Sequence, residues 1–459
     1  MNPPTHTHTH THKTVKRLPP LTTPHEVLAL RKELAEVAKG NRFLLQGGDC
    51  AERFDDCCAD TIEKKLKILI QMALILTWGG KQRVVKVARL AGQYSKPRSS
   101  DMETLKDGTT VPSFRGDNVN QFEPYGRDPD PDRLVQGYFH SAATLNFVRG
   151  IMSSGLADLS EAKHWHMGFV VDKQQRQIYQ DIVTKVMDSV AFAKVCGFGD
   201  NDEVHSAQMY MSHEGLSLPY EEAMTVKSGS RYFNTSAHFL WIGNRTRQLD
   251  HAHVEYMRGI ENPIGIKVGP KTPPKDLVPL IQMLWPEPEK SPGKITLITR
   301  LGASNVRELL PEYIKVVKEA GLPVIWSCDP MHGNTRKTSS GIKTRQVSDV
   351  LAELRLTFQV HRDHGSSLQG VHLEMTGENV TECVGGPEDL FESDLPKRYT
   401  SYCDPRLNYA QSLQVAFLVT QFLRERNSDT GDDAAGTTIV NGKISKSVSP
   451  RLKKRKLGD

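Results

Sequence analysis

The amino-acid sequence predicts an α/β protein, a closed (β/α)8 TIM barrel with an N-terminal extension and a large insertion between its second and third strands. Three observations carry that prediction. Short apolar runs of strand length recur eight times, at 43–46, 84–87, 208–211, 239–242, 264–268, 295–298, 324–326 and 371–373. Several are continuously apolar, as strands buried on both faces of a parallel sheet must be. Helical periodicity follows most of them, clearest over 61–76, 276–284, 306–320 and 344–360. Finally, reactive residue types gather just after the strand ends, where barrel enzymes build their sites. A doubly wound open sheet is the alternative for the same alternation.

Taken in order, residues 1–25 form a Thr/His-rich tail (His6, His8, His10 and His12 alternate with threonine) and are expected to be disordered. The catalytic barrel spans 26–426. Within it, Gly321 and Pro323 stop the helix over 306–320. The stretch at about 100–205 is rich in Gly, Pro and Asp up to Arg133, then helical over 134–153 and 174–195, and reads as the insertion. From 427 to 459 a polar segment ends in the basic run 449–456, expected as a second disordered tail; a nuclear-import patch is the competing reading of that run.

Composition narrows the function. The chain has 459 residues, 38% hydrophobic and 25% charged, the balance of a globular protein with ample core. Its formal charge of +5 is spread along the chain, so nucleic acid is a poor partner while small anions stay open. No apolar stretch is long enough for a membrane span. Seven cysteines, an odd number in a chain without a signal peptide, point to reduced thiols in a cytoplasmic setting. The acid-free opening also resembles a transit peptide, with organellar import as the alternative. Rossmann and Walker glycine signatures are absent, so a dinucleotide or ATP site finds no support.

Cys50 follows the first strand, His332 the seventh, Glu374 ends the eighth and Asp404 lies in the loop beyond. Together they offer a thiolate, an imidazole and two carboxylates, a set suited to Mn, Fe, Co or Zn and too soft for Mg or Ca. Singly, each has a plain alternative as a core cysteine, a turn histidine or a capping acid. Arg89, Lys96, Arg98, Arg245, Lys267 and Arg300 supply fixed positive charge for phosphate and carboxylate groups, and 92–100 reads as a rigid anion-binding loop. Solvated cations at loop starts are the competing reading.

These residues sit in strings that resemble class II, plant-type 3-deoxy-D-arabino-heptulosonate 7-phosphate (DAHP) synthases. The strings are Leu-Leu-Gln-Gly-Gly-Asp-Cys-Ala-Glu at 44–52, Gly-Gln-Tyr-Ser-Lys-Pro-Arg-Ser at 92–99, Arg-Gly-Asp-Asn-Val-Asn at 115–120 and Arg-Thr-Arg-Gln-Leu-Asp at 245–250. Asn-Pro-Ile-Gly-Ile-Lys at 262–267, Cys-Asp-Pro-Met-His-Gly-Asn-Thr at 328–335 and His-Leu-Glu-Met-Thr-Gly-Glu-Asn-Val-Thr-Glu-Cys at 372–383 complete the set. The resemblance implies a barrel transferase condensing phosphoenolpyruvate with erythrose 4-phosphate and water, the first step of the shikimate route to aromatic compounds. It implies Cys50, His332, Glu374 and Asp404 as ligands of a divalent transition metal such as Mn or Co. By the same likeness Arg89, Arg245, Lys267 and Arg300 bind phosphoenolpyruvate, and Lys96, Arg98 and Ser99 handle the aldose phosphate; Asn244, beside Arg245, is expected in the substrate-binding set, and Lys267, Arg89 and His332 are expected to carry the chemistry. Subunit association, and contact with another enzyme of the pathway, are implied in the same way.

Two departures stand out. Asn244 replaces an acid that the family usually carries before Arg245, and the segment before Cys50 is shorter than in many members, where extra helices form inhibitor sites. Together they leave room for a paralogue acting on an amino-sugar phosphate or in a secondary pathway; a silent barrel serving as a partner is the further alternative. Cys403, beside Asp404, adds the expectation of an oxidisable pair with Cys50.

Overall fold

The computed structural model describes residues 5–105, 107–153, 173–196, 208–429, 438–440 and 443–445. Eight parallel strands close into a barrel: β1 (Arg42–Gly48), β2 (Arg83–Arg89), β3 (Met209–Glu214), β4 (Phe239–Ile242), β5 (Ile264–Val268), β6 (Ile295–Thr299), β7 (Ile325–Cys328) and β8 (Gly370–Glu374). β1 closes the ring by pairing in parallel with both β2 and β8. Every apolar run read from the sequence falls on one of these strands, so the closed barrel, not the open sheet, is the fold.

Eleven labelled helices accompany them: α1 (Thr5–Lys16), α2 (Pro24–Ala38), α3 (Ala59–Gly80), α4 (Arg133–Ser153), α5 (Lys173–Val195), α6 (Leu218–Ala223), α7 (Ala252–Arg258), α8 (Pro274–Leu284), α9 (Val306–Glu319), α10 (Val347–Asp363) and α11 (Tyr409–Asp429). The segment between β2 and β3 carries α4, α5 and a short hairpin of Met102–Thr104 with Thr110–Pro112. The helix read as starting at 344 begins later, because Lys343–Arg345 pairs with Thr335–Lys337 as a hairpin and Gln346 becomes the cap.

The Thr/His tract departs from expectation. Residues 5–16 are helical, and Val15 is buried while the Thr11 hydroxyl reaches Asp132 at 3.2 Å. Contacts of a few residues thus recruit a tract whose composition alone predicts no order. At the other end α11 runs to Asp429, and among the described residues beyond it only Thr438–Val440 and Lys443–Ser445 appear, as an antiparallel pair. The basic run 449–456 lies outside the described residues.

Side chains inside the barrel form layers. At the bottom, Leu44, Val85, Val87, Phe239, Ile298 and Ile325 form an apolar plug that Leu30, Leu34 and Val37 of α2 close from below. The start of α2 is fixed by a capping box, Thr23 with Glu26, and by Pro24 in its first turn. One layer up the interior turns polar: Gln46 joins Ser212 at 2.9 Å and His372 at 2.7 Å. Above that, at the C-terminal mouth, the strands end in charge, with Arg89 and Glu374 both facing Gly48 in register. Outside, Phe43, Leu45, Ile264, Ile266, Leu297 and Leu373 pack on the helices. This alternation of strand faces delivers successive residues to core and interior.

Candidate active site

The strands end at one mouth, and the residues singled out from the sequence meet there. Arg89, Lys96, Arg98, Ser99, Asn244, Arg245, Lys267, Arg300, His332 and Asp404 line one cavity of about 470 Å³. Cys50 and Glu374 lie in its floor, buried, with Asp404 at its edge. The donor atoms of Cys50, Glu374 and Asp404 all fall within 4.8 Å of one another. His332 joins them through Glu374, its Nε2 lying 3.0 Å from Oε1.

A cation already tests this donor set. The Lys96 ammonium sits 2.7 Å from the Cys50 sulfur, 3.0 Å from Asp404 and 3.5 Å from Glu374. Lys96 therefore turns down into the acids, whereas Arg98 and Ser99 stay toward the rim, with Arg98 held at 2.8 Å by Glu103. Three convergent donors of mixed hardness that draw in a cation fit a divalent transition metal, which Cys50, Glu374 and Asp404 would hold with His332 beside Glu374. Burial pushes the Glu374 carboxyl up, but His332, Lys96 and Arg345 outweigh it and hold the group well below the usual carboxylate range. Glu374 is thus an anion built into the floor.

The loop that delivers Lys96 is shaped by a residue the sequence did not flag. The Glu52 carboxylate accepts the backbone N–H groups of Ala91, Gly92 and Gln93 at 2.7–3.0 Å. It thereby secures Ala91 at φ 60 and Gly92 at φ 154, conformations that cost a side-chain-bearing residue.

On the opposite wall Lys267 and His332 share one buried acid, Asp329. Lys267 pairs with its Oδ2, and His332 Nδ1 lies 2.7 Å from the same atom. Burial pushes the Lys267 ammonium down to about 8, Arg89 adds to the fall, and Asp329 resists it. Asp329 itself is held well below the usual carboxylate range by His332 and Lys267 against the cost of burial. Arg89 is bracketed by Glu374 at 3.1 Å and His372 at 2.6 Å, with its guanidinium over Trp241 at 5.1 Å. Arg300 donates to the His332 carbonyl at 2.8 Å. Arg245 extends exposed at the mouth, and Asn244 Oδ1 accepts the Gly269 N–H at 3.2 Å.

Sequence reasoning passed over Asp329, His372, Arg345, Lys343 and Trp241. His372 had a signal: it lies two residues before Glu374 on a strand, hence on the same face. Asp329 stood inside the His332 string. Arg345, fully buried against Glu374 at 2.8 Å, comes from a hairpin that no periodicity announced. Cys403 lies with Cys50 in one buried cluster, and burial first, then Cys403, keeps the Cys50 thiol above its usual range. All seven cysteines are free thiols.

A barrel whose mouth combines a cation-lined cavity with convergent thiol, imidazole and carboxylate groups has the architecture of an enzyme site suited to small anions and a divalent metal. The comparisons give the particular kind. The chain matches the Class-II DAHP synthetase family over residues 2–420, and it belongs to that family. It is 48% identical over 444 residues to a phospho-2-dehydro-3-deoxyheptonate aldolase of Neurospora crassa, covering 93% of this chain and 92% of the relative. It is 47% identical over 413 residues to a protein of the same name from Streptomyces coelicolor, covering 89% and 91%. A solved aldolase of that name from Francisella tularensis, 16% identical and covering 88% and 92%, superposes with a TM-score of 0.46, too distant to add to the assignment.

Proposed function

We propose that this mouth is the active site of a 3-deoxy-7-phosphoheptulonate synthase, a transferase that joins phosphoenolpyruvate to erythrose 4-phosphate at the first step of the shikimate pathway. One observation carries the reading: a cation-lined cavity and a converging Cys50, Glu374 and Asp404 set share one barrel mouth in a chain of the DAHP synthetase family. Neither the amino-sugar paralogue nor the silent barrel is favoured by relatives that both carry the aldolase name.

Arg89, Arg245, Lys267 and Arg300 hold the phosphate and carboxylate of the enol substrate, with Asn244 tying the β4 end to Gly269 beside them. The guanidinium groups suit bidentate anion binding, and their fixed geometry favours attack of C3 on the aldehyde carbon. Cys50, His332, Glu374 and Asp404 would hold a divalent ion such as Mn or Co, which would supply Lewis acidity toward the aldehyde oxygen when bound. As the carbon–carbon bond forms, C2 becomes electron-poor, water adds there with loss of a proton, and the C2–O bond to phosphate breaks. Arg89 and Lys267 stabilise the charge that leaves. Lys267, with its ammonium pushed down to about 8, is placed to pass a proton, and Asp329 orients both it and His332. Lys96, Arg98 and Ser99 receive the aldose phosphate, a role that requires the Lys96 ammonium to leave the acids. A cytoplasmic setting fits seven unpaired cysteines, and no described helix is long and apolar enough to cross a membrane. Association of several copies rests on family membership, and sedimentation velocity measures it.

The deciding experiment measures phosphate release from metal-stripped protein given phosphoenolpyruvate, erythrose 4-phosphate and added Mn or Co, with His332→Ala as control. Release that needs both substrates and the metal is expected. Folded, metal-loaded protein that releases none overturns the proposal, and release with an amino-sugar phosphate alone transfers it to the paralogue.

A further inference from the structure

At the other end of the barrel, far from the mouth, a second cavity of about 820 Å³ opens between α2, the end of α7 and the 285–294 loop. Its walls are built. Gly293, at φ 76, rests against the α2 backbone so closely that a Cβ there would lie 2.5 Å from the Arg31 carbonyl oxygen and the Ala35 nitrogen. Trp285 closes the loop on itself, its Nε1 donating to Ser291 Oγ at 2.8 Å.

The charge in this cleft does not balance. Among its acids, Glu261 is taken by Arg31 at 2.6 Å, Glu287 by Lys290 at 2.5 Å, and Glu36 by Lys39 and Asn41 outside the cleft. Lys294 is left over. It is only 6% exposed, it lines the cavity, and no carboxylate of the described residues lies within ion-pair distance of its ammonium. Burial pushes that ammonium down to about 8, with Glu261 pulling up and Arg31 pulling further down. Arg231 also lacks an acidic partner among the described residues and stacks over Phe233 at 5.4 Å. An unpaired ammonium on a side chain largely withdrawn from water and opening only into a cavity is costly, and a protein relieves that cost by pairing it. Cations from three separate elements, the α2 helix, the strand Arg231–Asn234 that pairs with Thr225–Ser228 as a hairpin, and the loop before β6, exceed what one carboxylate needs and match the near-dianionic charge of a phosphate group.

We propose that this cleft binds a phosphate-bearing small molecule, its phosphate held by Lys294, Arg31 and Arg231. The site is separate from the mouth and shares no residue with it, so its success or failure is independent of the catalytic reading.

Equilibrium dialysis of the full chain with radiolabelled inorganic phosphate tests it, using Lys294→Met, Arg231→Gln and, as a reporter of phosphate at the mouth, Lys267→Met. One phosphate per chain is expected to weaken by about tenfold or more in Lys294→Met and in Arg231→Gln, the loss of a charge-assisted bond, and to persist in Lys267→Met. Lys294→Met is expected to retain its turnover. If Lys294→Met fails to fold, the exposed Arg231→Gln still decides the matter. Phosphate binding unchanged in both cleft variants, or lost wholly in Lys267→Met, overturns the site. Citrate displacing the label at lower concentration than unlabelled phosphate overturns the assignment to phosphate.

Discussion

Asp329 is the residue on which the mouth most depends without being a candidate ligand. It is fully buried and meets both Lys267 and His332 through one oxygen. Partners that orient a metal-binding imidazole typically contribute 10–100-fold to metal affinity. Asp329→Asn is therefore expected to weaken Mn binding by about that factor, read by calorimetry on folded protein, and to raise KM for phosphoenolpyruvate through Lys267. Metal affinity equal to the parent's would sink the positioning role. His332→Ala, which removes a donor outright, is expected to lose at least about a hundredfold in metal-dependent phosphate release, and a smaller loss removes His332 from the ligand set. Cys403 is the third test at this scale, because it shares a buried cluster with Cys50. Hydrogen peroxide acting on metal-stripped enzyme would take two electrons and two protons from the pair, forming a disulfide and water. Inactivation reversed by dithiothreitol is expected in the parent and absent in Cys403→Ser; identical behaviour of the two refutes the pairing. The candidate residues were legible in the sequence because they stand at strand ends within recognisable strings. Asp329 and Arg345 were not, because burial and pairing across 62 and 29 positions are set by closure of the barrel and leave no local pattern.

At the scale of elements, the strands were legible from their apolar runs and the principal helices from their period. Three features were not. The α1 helix belongs to a composition that predicts no order, and it enters through contacts such as Thr11 with Asp132. The Thr335–Lys337 and Lys343–Arg345 hairpin hides inside a helical pattern, where tertiary context overrides propensity. The closeness of α3 and α11 rests on Gly79, a residue that sequence reading would count against a helix. A Cβ there would lie 2.0 Å from Thr420 Cγ2, and Thr420 Oγ1 bonds across to the Ile75 carbonyl at 3.1 Å. Gly79→Ala thus trades helix propensity for overpacking and is expected to cost about 1–3 kcal/mol in urea unfolding. Thr420→Ala in the same chain should return part of that cost, a coupling that a double-mutant cycle measures. Strict additivity of the two changes means that the helices do not meet at that pair.

Over the whole molecule the barrel is polarised, apolar at its plugged base and charged at its mouth, and it carries two buried lysines whose protons are weakly held. Lys267 at the mouth and Lys294 below are both pushed down to about 8 from an ordinary value of 10.5, chiefly by burial. Between those limits the unfolded chain holds a proton that the folded chain has released. Since stability rises with pH wherever the unfolded state binds more protons, each lysine adds stability as pH climbs from about 8 toward 10.5 and withholds it below. Glu353 works in a lower window, because burial raises its carboxyl to about 7 from 4.5, and there the folded state holds the extra proton and stability falls as pH rises. Lys294 isolates the effect, since it lies outside the catalytic mouth. In urea unfolding without phosphate, Lys294→Met is expected to gain on the parent at pH 7, and this advantage should shrink steadily between pH 8 and 10 as the parent sheds its buried charge. Curves that stay parallel across that interval would mean that Lys294 titrates as an ordinary solvated lysine, and that the cleft beneath the barrel imposes no electrostatic cost for a ligand to relieve.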